Sequence, residues 1–227
     1  MNLIKSQDFF DPTNDLKDTP IHIIGLGAIG SFVAENLARI GCPELHIYDF
    51  DTVEDTNIAN QLYTTDDVGR LKTEALTDKL KAINPDIKLT TYERWDENNN
   101  NLCGYVFICV DTIAIRQAIV NTNKFNTNIT AFFDFRMNLT DAQHYMAIWS
   151  DSHHKDFLAK TMAFTDEEAA ANTPVSPCGT TLSIAPTVRT IVAAGIANFI
   201  NVVKHNNYKT SIIIDPFASQ YIAECIK

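Results

Sequence analysis

The stretch Ile21-His22-Ile23-Ile24-Gly25-Leu26-Gly27-Ala28-Ile29-Gly30, continued to Gly41, decides the fold. Ile21 to Ile24 reads as a short buried strand that Gly25 ends. Helical spacing then runs from Ile29 to about Ile40, with apolar or small residues at Phe32, Val33, Leu37 and Ile40. Gly41 stops that helix, and Leu45-His46-Ile47-Tyr48 reads as the next strand. A strand, a glycine turn, a helix and a second strand form the context in which G-x-G-x-x-G signals nucleotide binding. Gly25 permits the tight turn, Gly27 lets the backbone approach a phosphate, and Gly30 lets helix and strand pack closely. The helix N-terminus offers unbonded N–H groups and a positive dipole end to an anion. Asp49, 19 residues past Gly30, ends the second strand, where a carboxylate can grip ribose hydroxyls. The motif alone does not separate ATP from a nicotinamide dinucleotide.

Outward from this unit, Leu71, Ala75, Leu76, Leu80 and Ile83 keep 3.6-residue spacing, and Asn84-Pro85 closes that helix. Ile87 to Tyr92 alternates as a strand, and Tyr105 to Val110 is an apolar strand with both faces covered. A helix over about Ile113 to Asn123 and a strand over Ile129 to Phe135 come next. Alternation of this kind predicts an α/β fold with a mainly parallel sheet flanked by helices. Ala142 to Trp149 then reads as a strand, Lys155 to Thr173 as polar and at best helical, Pro186 to Lys204 as a long helix, and Ser211 to Asp215 as a last strand.

Composition fits such a domain. The 227 residues are 45% hydrophobic and 20% charged, and a chain of this size buries roughly 70% of its unfolded surface without disulfides or metal. Eighteen basic against 28 acidic residues, a net charge of −10, argues against nucleic acid as the main partner. Ile191 to Val203, interrupted by Asn198 and Asn201, is too short to span a bilayer, so no membrane is expected. The opening MNLIKSQDFF carries acid and amide where a secretion signal is apolar, and five cysteines without a CxxC pair fit reduced thiols; a cytoplasmic protein is expected.

The residues after Asp49 select the nucleotide. Asp49, Asp51, Val53, Asn57, Gln61, Gly69, Lys72 and Asn84-Pro85 stand in the order and spacing that resemble the ThiF/MoeB/HesA superfamily, which includes the adenylation domains of ubiquitin-activating enzymes. Asp111 with Arg116 resembles that family's D-x-x-x-x-R segment after the fourth strand. The likeness extends from about Ile21 to Asp215. It implies a Rossmann-like sheet with a C-terminal extension of crossover loop, long helix and antiparallel strands. The implied organisation is an N-terminal arm over 1–20 and one adenylation domain over 21–227, with a nucleotide-binding half at 21–135 and a partner-binding half at 136–227.

The activity implied by the resemblance is ATP- and Mg²⁺-dependent adenylation of the C-terminal carboxylate of a small ubiquitin-like or sulfur-carrier protein ending in glycine. A C-terminal carboxyl is already ionised at neutral pH, so the demands are charge neutralisation and in-line geometry rather than a general base. By resemblance, Gly25, Gly27, Gly30, Asp49, Asp51, Asn57, Gln61 and Lys72 bind the nucleotide, Lys72 neutralises phosphate charge and Asp111 holds Mg²⁺. Cys178 matches the acyl- or thioester-forming cysteine of some members, and a homodimer is implied. Each residue has a plainer reading: Lys72 as an exposed helix lysine, Asp51 as a loop-ordering acid, Asp111 as a cap for the helix at Ile113, Arg116 as a structural ion pair, Cys178 as a small loop residue.

The chain departs from the pattern in two places. Asn60 stands where the family has a phosphate-binding arginine, and before residue 17 the arm's only base is Lys5. Arg70 and Arg116 are the candidates to compensate. These departures motivate an alternative, a weakly catalytic regulatory or scaffold relative; the Gly25 loop with Asp49 motivates a second, an NAD-dependent oxidoreductase. With no CxxC pair, no structural zinc is expected. His153-His154 reads as an exposed loop pair, and Cys42, Cys103, Cys109 and Cys225 as structural.

Overall fold

The computed structural model describes residues 1–171 and 182–226. A short helix α1 (Pro12–Leu16) precedes β1 (Ile21–Ile24), α2 (Ala28–Arg39), β2 (Glu44–Tyr48), α3 (Lys72–Ile83), β3 (Lys88–Tyr92) and β4 (Gly104–Ile108). Next come α4 (Ile113–Thr122), β5 (Ile129–Met137), β6 (Ala142–Ile148), α5 (Ser152–Thr161), α6 (Asp166–Ala171), α7 (Ala185–Val203), β7 (Ser211–Asp215) and β8 (Gln220–Glu224). All eight strands join one sheet in the order β3-β2-β1-β4-β5-β6-β7-β8. The first five are parallel, and β6, β7 and β8 add antiparallel pairs. The fold is therefore α/β and Rossmann-like, with an antiparallel C-terminal extension.

Helices cover both faces. Ile21, Ile23, Phe32, Val33, Phe107, Phe133 and Phe199 belong to one buried cluster, and Ile24, Val106, Phe132, Trp149 and Leu158 to the other. All four residues of β1 and all five of β4 are buried, which is why both read as mainly apolar runs, with His22 the exception. Phe199 of α7 stands edge-on to Tyr105, Phe107 and Phe133, with centroids at 5.2, 5.5 and 5.5 Å. Such offsets suit the aromatic quadrupole and fix α7 over the sheet.

Several details differ from the expectations. The helix containing Ile191 begins at Ala185 and has the length and apolarity of a membrane span, yet Val188, Ile191, Val192, Ile196 and Phe199 are buried against the sheet. β8 was unforeseen: it is an edge strand with Tyr221 and Ile222 both exposed, so it lacks the alternation that reveals a half-buried strand. His153 and His154 lie in the first turn of α5 rather than in a loop. The His154 side chain is buried there, its Nδ1 accepting the Ile148 amide at 3.1 Å.

β1 has parallel neighbours on both sides, and the chain crosses from β3 to the far side of β1 to form β4. The crevice at the C-terminal ends of β1 and β4 is thus a topological switch point, where doubly wound sheets bind ligands.

Candidate nucleotide site

The glycine turn fills one wall of this crevice. Gly25 has φ +90°, and a Cβ there would lie 2.8 Å from the Cys109 carbonyl oxygen, so the β1 and β4 turns touch through backbone. A Cβ on Gly30 would meet the Gly25 oxygen at 1.8 Å. Around Gly27 nothing among the described residues lies within 4 Å of such a Cβ. Gly27 is the N-cap of α2 and brings no side-chain cap, leaving the first helical amides without a capping side chain.

Asp49 ties this turn to the next segment. Its Oδ2 accepts the Leu26 amide at 2.7 Å and its Oδ1 the Asp51 amide at 2.8 Å. Desolvation raises the pKa of Asp49, against the opposing pull of those amides and the positive charge of Lys72. Residues 51–53 and 69–72 run side by side through a Thr52–Leu71 bridge, with Val53 N bonded to Arg70 O, Gly69 N to Val53 O and Lys72 N to Asp51 O. This pairing delivers Lys72 to Asp51: Nζ lies 2.8 Å from Oδ2, with the lysine side chain 8% and the aspartate 50% exposed. Lys72 is therefore not an ordinary exposed helix lysine, and Asp51 is its direct partner. An ammonium has three donors, so two remain after this bond.

The 57–63 loop closes a second side. Tyr63 Oη donates to Leu26 O at 2.9 Å, and Ser31 Oγ accepts the Leu62 amide at 3.2 Å. Asn57 accepts the Glu54 amide through Oδ1 at 3.0 Å. The Gln61 carboxamide oxygen is buried and has no hydrogen-bond partner among the described residues. Asn60 donates to Ser183 Oγ, 123 residues away. Neither proposed compensating cation is available at residue 60. Arg70 pairs with Asp67 and Asp78, and the Arg116 guanidinium is buried, bonded to Asp134 and to Val110 O. Arg116 is a structural ion pair.

Asp111 follows β4 and is exposed. It does not cap α4: the amides of Ile113 and Ala114 go to Asp166 Oδ1 and Oδ2 at 2.6 and 3.3 Å. No group of three His, Cys, Asp or Glu side chains among the described residues could hold a metal ion. One carboxylate nevertheless suits Mg²⁺, which takes one or two carboxylates together with substrate phosphates and waters. Cys178 lies outside the described residues, as do Ser176, Gly179, Thr180 and Thr181.

Sequence reasoning missed Tyr63, Asp134, Asp166 and Ser183, whose roles are long-range contacts without a local motif. It also gave Cys103 no chemical neighbourhood, whereas Sγ lies 3.7 Å from His22 Nε2. His22 stacks on His46 with centroids 4.5 Å apart and planes at 19°. Cys109 is held as a thiol, its pKa raised by burial.

Known proteins resemble the chain in sequence and in shape. Ubiquitin-like modifier-activating enzyme 5 of Oryza sativa is 43% identical over 77 residues, 34% of this chain and 18% of that protein. Its Drosophila persimilis counterpart is 31% identical over 136 residues, 52% of this chain and 34% of that protein. The tRNA threonylcarbamoyladenosine dehydratase of Haemophilus influenzae is 32% identical over 121 residues, 49% of this chain and 46% of that protein. The chain thus spans less than half the length of each of these relatives. Among solved structures, PaaA superposes with TM-score 0.72 and E. coli MccB with ATP with TM-score 0.70. Each is 18% identical and covers 93% of this chain and 65% of its own, which is likeness of fold. The ThiF family profile matches residues 3–211, and on that match the chain belongs to the ThiF family.

Proposed function

We propose that the chain binds ATP in the β1–β4 crevice and adenylates the C-terminal carboxylate of a small ubiquitin-like or sulfur-carrier protein. The observation that carries this reading is the unbroken polar chain from the Leu26 amide through Asp49 and Asp51 to Lys72, beside an uncapped helix N-terminus. The open side of Gly27 and the amides of α2 suit the polyphosphate, and the two remaining Lys72 donors neutralise it. Asp49 retains lone pairs for a ribose hydroxyl, and the orphaned Gln61 oxygen lacks a donor that such a hydroxyl supplies. Asp111 is the residue to hold Mg²⁺, which supplies charge neutralisation at the phosphates. The tail carboxylate forms a bond to the α-phosphorus, and the bond to pyrophosphate breaks. Attack of the Cys178 sulfur on the acyl adenylate, which forms a thioester and releases AMP, is the proposed second step, and a homodimer the proposed assembly.

The relatives' names point to the substrate class: two are ubiquitin-like modifier-activating enzymes, and MccB has been solved with MccA. The Haemophilus relative acts on a modified tRNA nucleoside by its name, but a chain of net charge −10 is poorly suited to RNA phosphates. The test is ATP–pyrophosphate exchange with Mg²⁺ and carrier proteins ending in Gly-Gly. Exchange should fall at least about a hundredfold in Lys72→Ala and Asp111→Ala. ATP binding without exchange for any carrier would favour the regulatory alternative, which the uncharged Asn60 and the engaged Arg70 and Arg116 support. Absence of ATP binding would sink the reading.

A further inference from the structure

The turn leading into α6 is strapped to the first turns of α4 at three points. Asp166 takes the Ile113 and Ala114 amides at 2.6 and 3.3 Å. Gln117 Nε2 donates to Met162 O at 2.6 Å and Phe164 O at 3.3 Å. Beneath them Asp134, fully buried, is shared by Arg116 and Arg136; Arg136 donates to Thr161 O at 2.5 Å and Thr161 Oγ1 at 2.9 Å, and lies 5.8 Å from the Phe164 ring. Arg116 also holds Val110 O, the carbonyl just before Asp111. The peptide carrying Asp111 is thus held on one side by Arg116, from the helix that follows it, and followed on the other by amides that Asp166 takes from 53 residues beyond Ile113.

The first amides of a helix need acceptors, and an aspartate near the N-terminus ordinarily supplies one. Here Thr112, the N-cap, makes no side-chain cap bond, and its hydroxyl is buried without a partner among the described residues. Asp111 would be the nearest local carboxylate for those amides, and Asp166 has replaced it. We propose that Asp166 is a positioning residue: by capping α4 in place of Asp111, it keeps the Asp111 carboxylate directed at the metal–phosphate side of the crevice. This rests on the adenylation reading, in which Asp111 meets Mg²⁺. It also couples α6, which leads toward Cys178 in the sequence, to the nucleotide site.

The experiment is titration calorimetry of ATP into the full chain, with EDTA and then with saturating Mg²⁺, alongside a thermal melt of each variant. In the wild type Mg²⁺ strengthens ATP binding, and Asp111→Ala removes that gain. Asp166→Ala should cut the gain about five- to tenfold, the effect of one lost cap, while leaving EDTA-state affinity unchanged. Asp166→Asn, which retains one acceptor for the closer Ile113 amide, should restore most of it. Gln117→Ala, which weakens the strap but spares the Ile113 and Ala114 amides, should lower the melting temperature and leave the Mg²⁺ gain intact. A folded Asp166→Ala variant with the full gain, or an equal loss in Gln117→Ala, overturns the positioning role and leaves the adenylation reading standing. Wild-type ATP binding that ignores Mg²⁺ overturns the positioning role and the metal assignment together, and absence of ATP binding overturns the adenylation reading as well.

Discussion

Replacing Gly30 by alanine puts a methyl carbon 1.8 Å from the Gly25 carbonyl oxygen and 2.9 Å from its carbon, with Cys109 Cβ at 3.2 Å. The two nearest atoms are backbone in a turn whose own glycine, at φ +90°, is already pressed against Cys109. No side chain can swing aside, so α2 must retreat from β1 by more than an ångström and loosen the packing of Ile29, Phe32 and Val33. Overpacking costs about 1–3 kcal/mol, and alanine's helix propensity returns at most about 1 kcal/mol. The expected net loss is about 1–2 kcal/mol. Gly27→Ala is the counterpart: with nothing among the described residues within 4 Å and φ −74°, it should change stability by less than about 0.5 kcal/mol. Its methyl occupies the space assigned to phosphate, so ATP affinity should fall about tenfold, roughly 1.4 kcal/mol. Urea unfolding and ATP calorimetry on both variants separate the two glycines. A Gly30→Ala protein as stable as wild type would refute the close approach of α2 and β1, and a Gly27→Ala protein with unchanged ATP affinity would remove the polyphosphate from this turn.

Three more outcomes can be measured. Arg116→Ala removes one of two cations from fully buried Asp134 and should cost about 3 kcal/mol, read as a drop in the urea midpoint; an unchanged midpoint would mean that Arg136 alone satisfies the carboxylate. Phe199→Ala empties the aromatic contact between α7 and the sheet and should cost about 3–5 kcal/mol, a loss that equilibrium unfolding would report directly. His144 is buried with its pKa lowered from 6.5 to about 4, mainly by desolvation, while Nδ1 bonds to Asp134 O and Nε2 to Asn198. A depressed imidazole pKa favours the neutral form on folding, so its contribution is intact above pH 6.5 and is lost as pH falls toward 4, at about 1.4 kcal/mol per unit crossed. Stability measured at pH 7.5, 6 and 5 should decline stepwise, and a flat profile would contradict the burial of His144.

Lys72 shows how far local reading reached. Gly69 and the run before it marked the lysine as special, yet its direct partner is set by the 51–53 and 69–72 pairing, 21 residues apart in sequence. For Asp111 the segment was legible but the cap was not, because the capping carboxylate sits 53 residues beyond Ile113, whose amide it takes. Arg116 could be read two ways from spacing alone; burial beside Asp134 decides for the ion pair. β8 escaped because a strand exposed on both faces carries no period.

By itself the sequence determined the βαβ unit, the order of strands and helices through β5, and the glycine turn with its acid. These come from local properties: a helix repeats every 3.6 residues, a covered strand is continuously apolar, and only glycine tolerates positive φ without strain. Tertiary structure alone decided which polar groups meet. Asn60 reaches Ser183, Asp166 caps α4, and Arg116 turns inward to Asp134 rather than toward a phosphate. The physical reason is that a buried donor or charge must find a partner wherever the packed chain brings one.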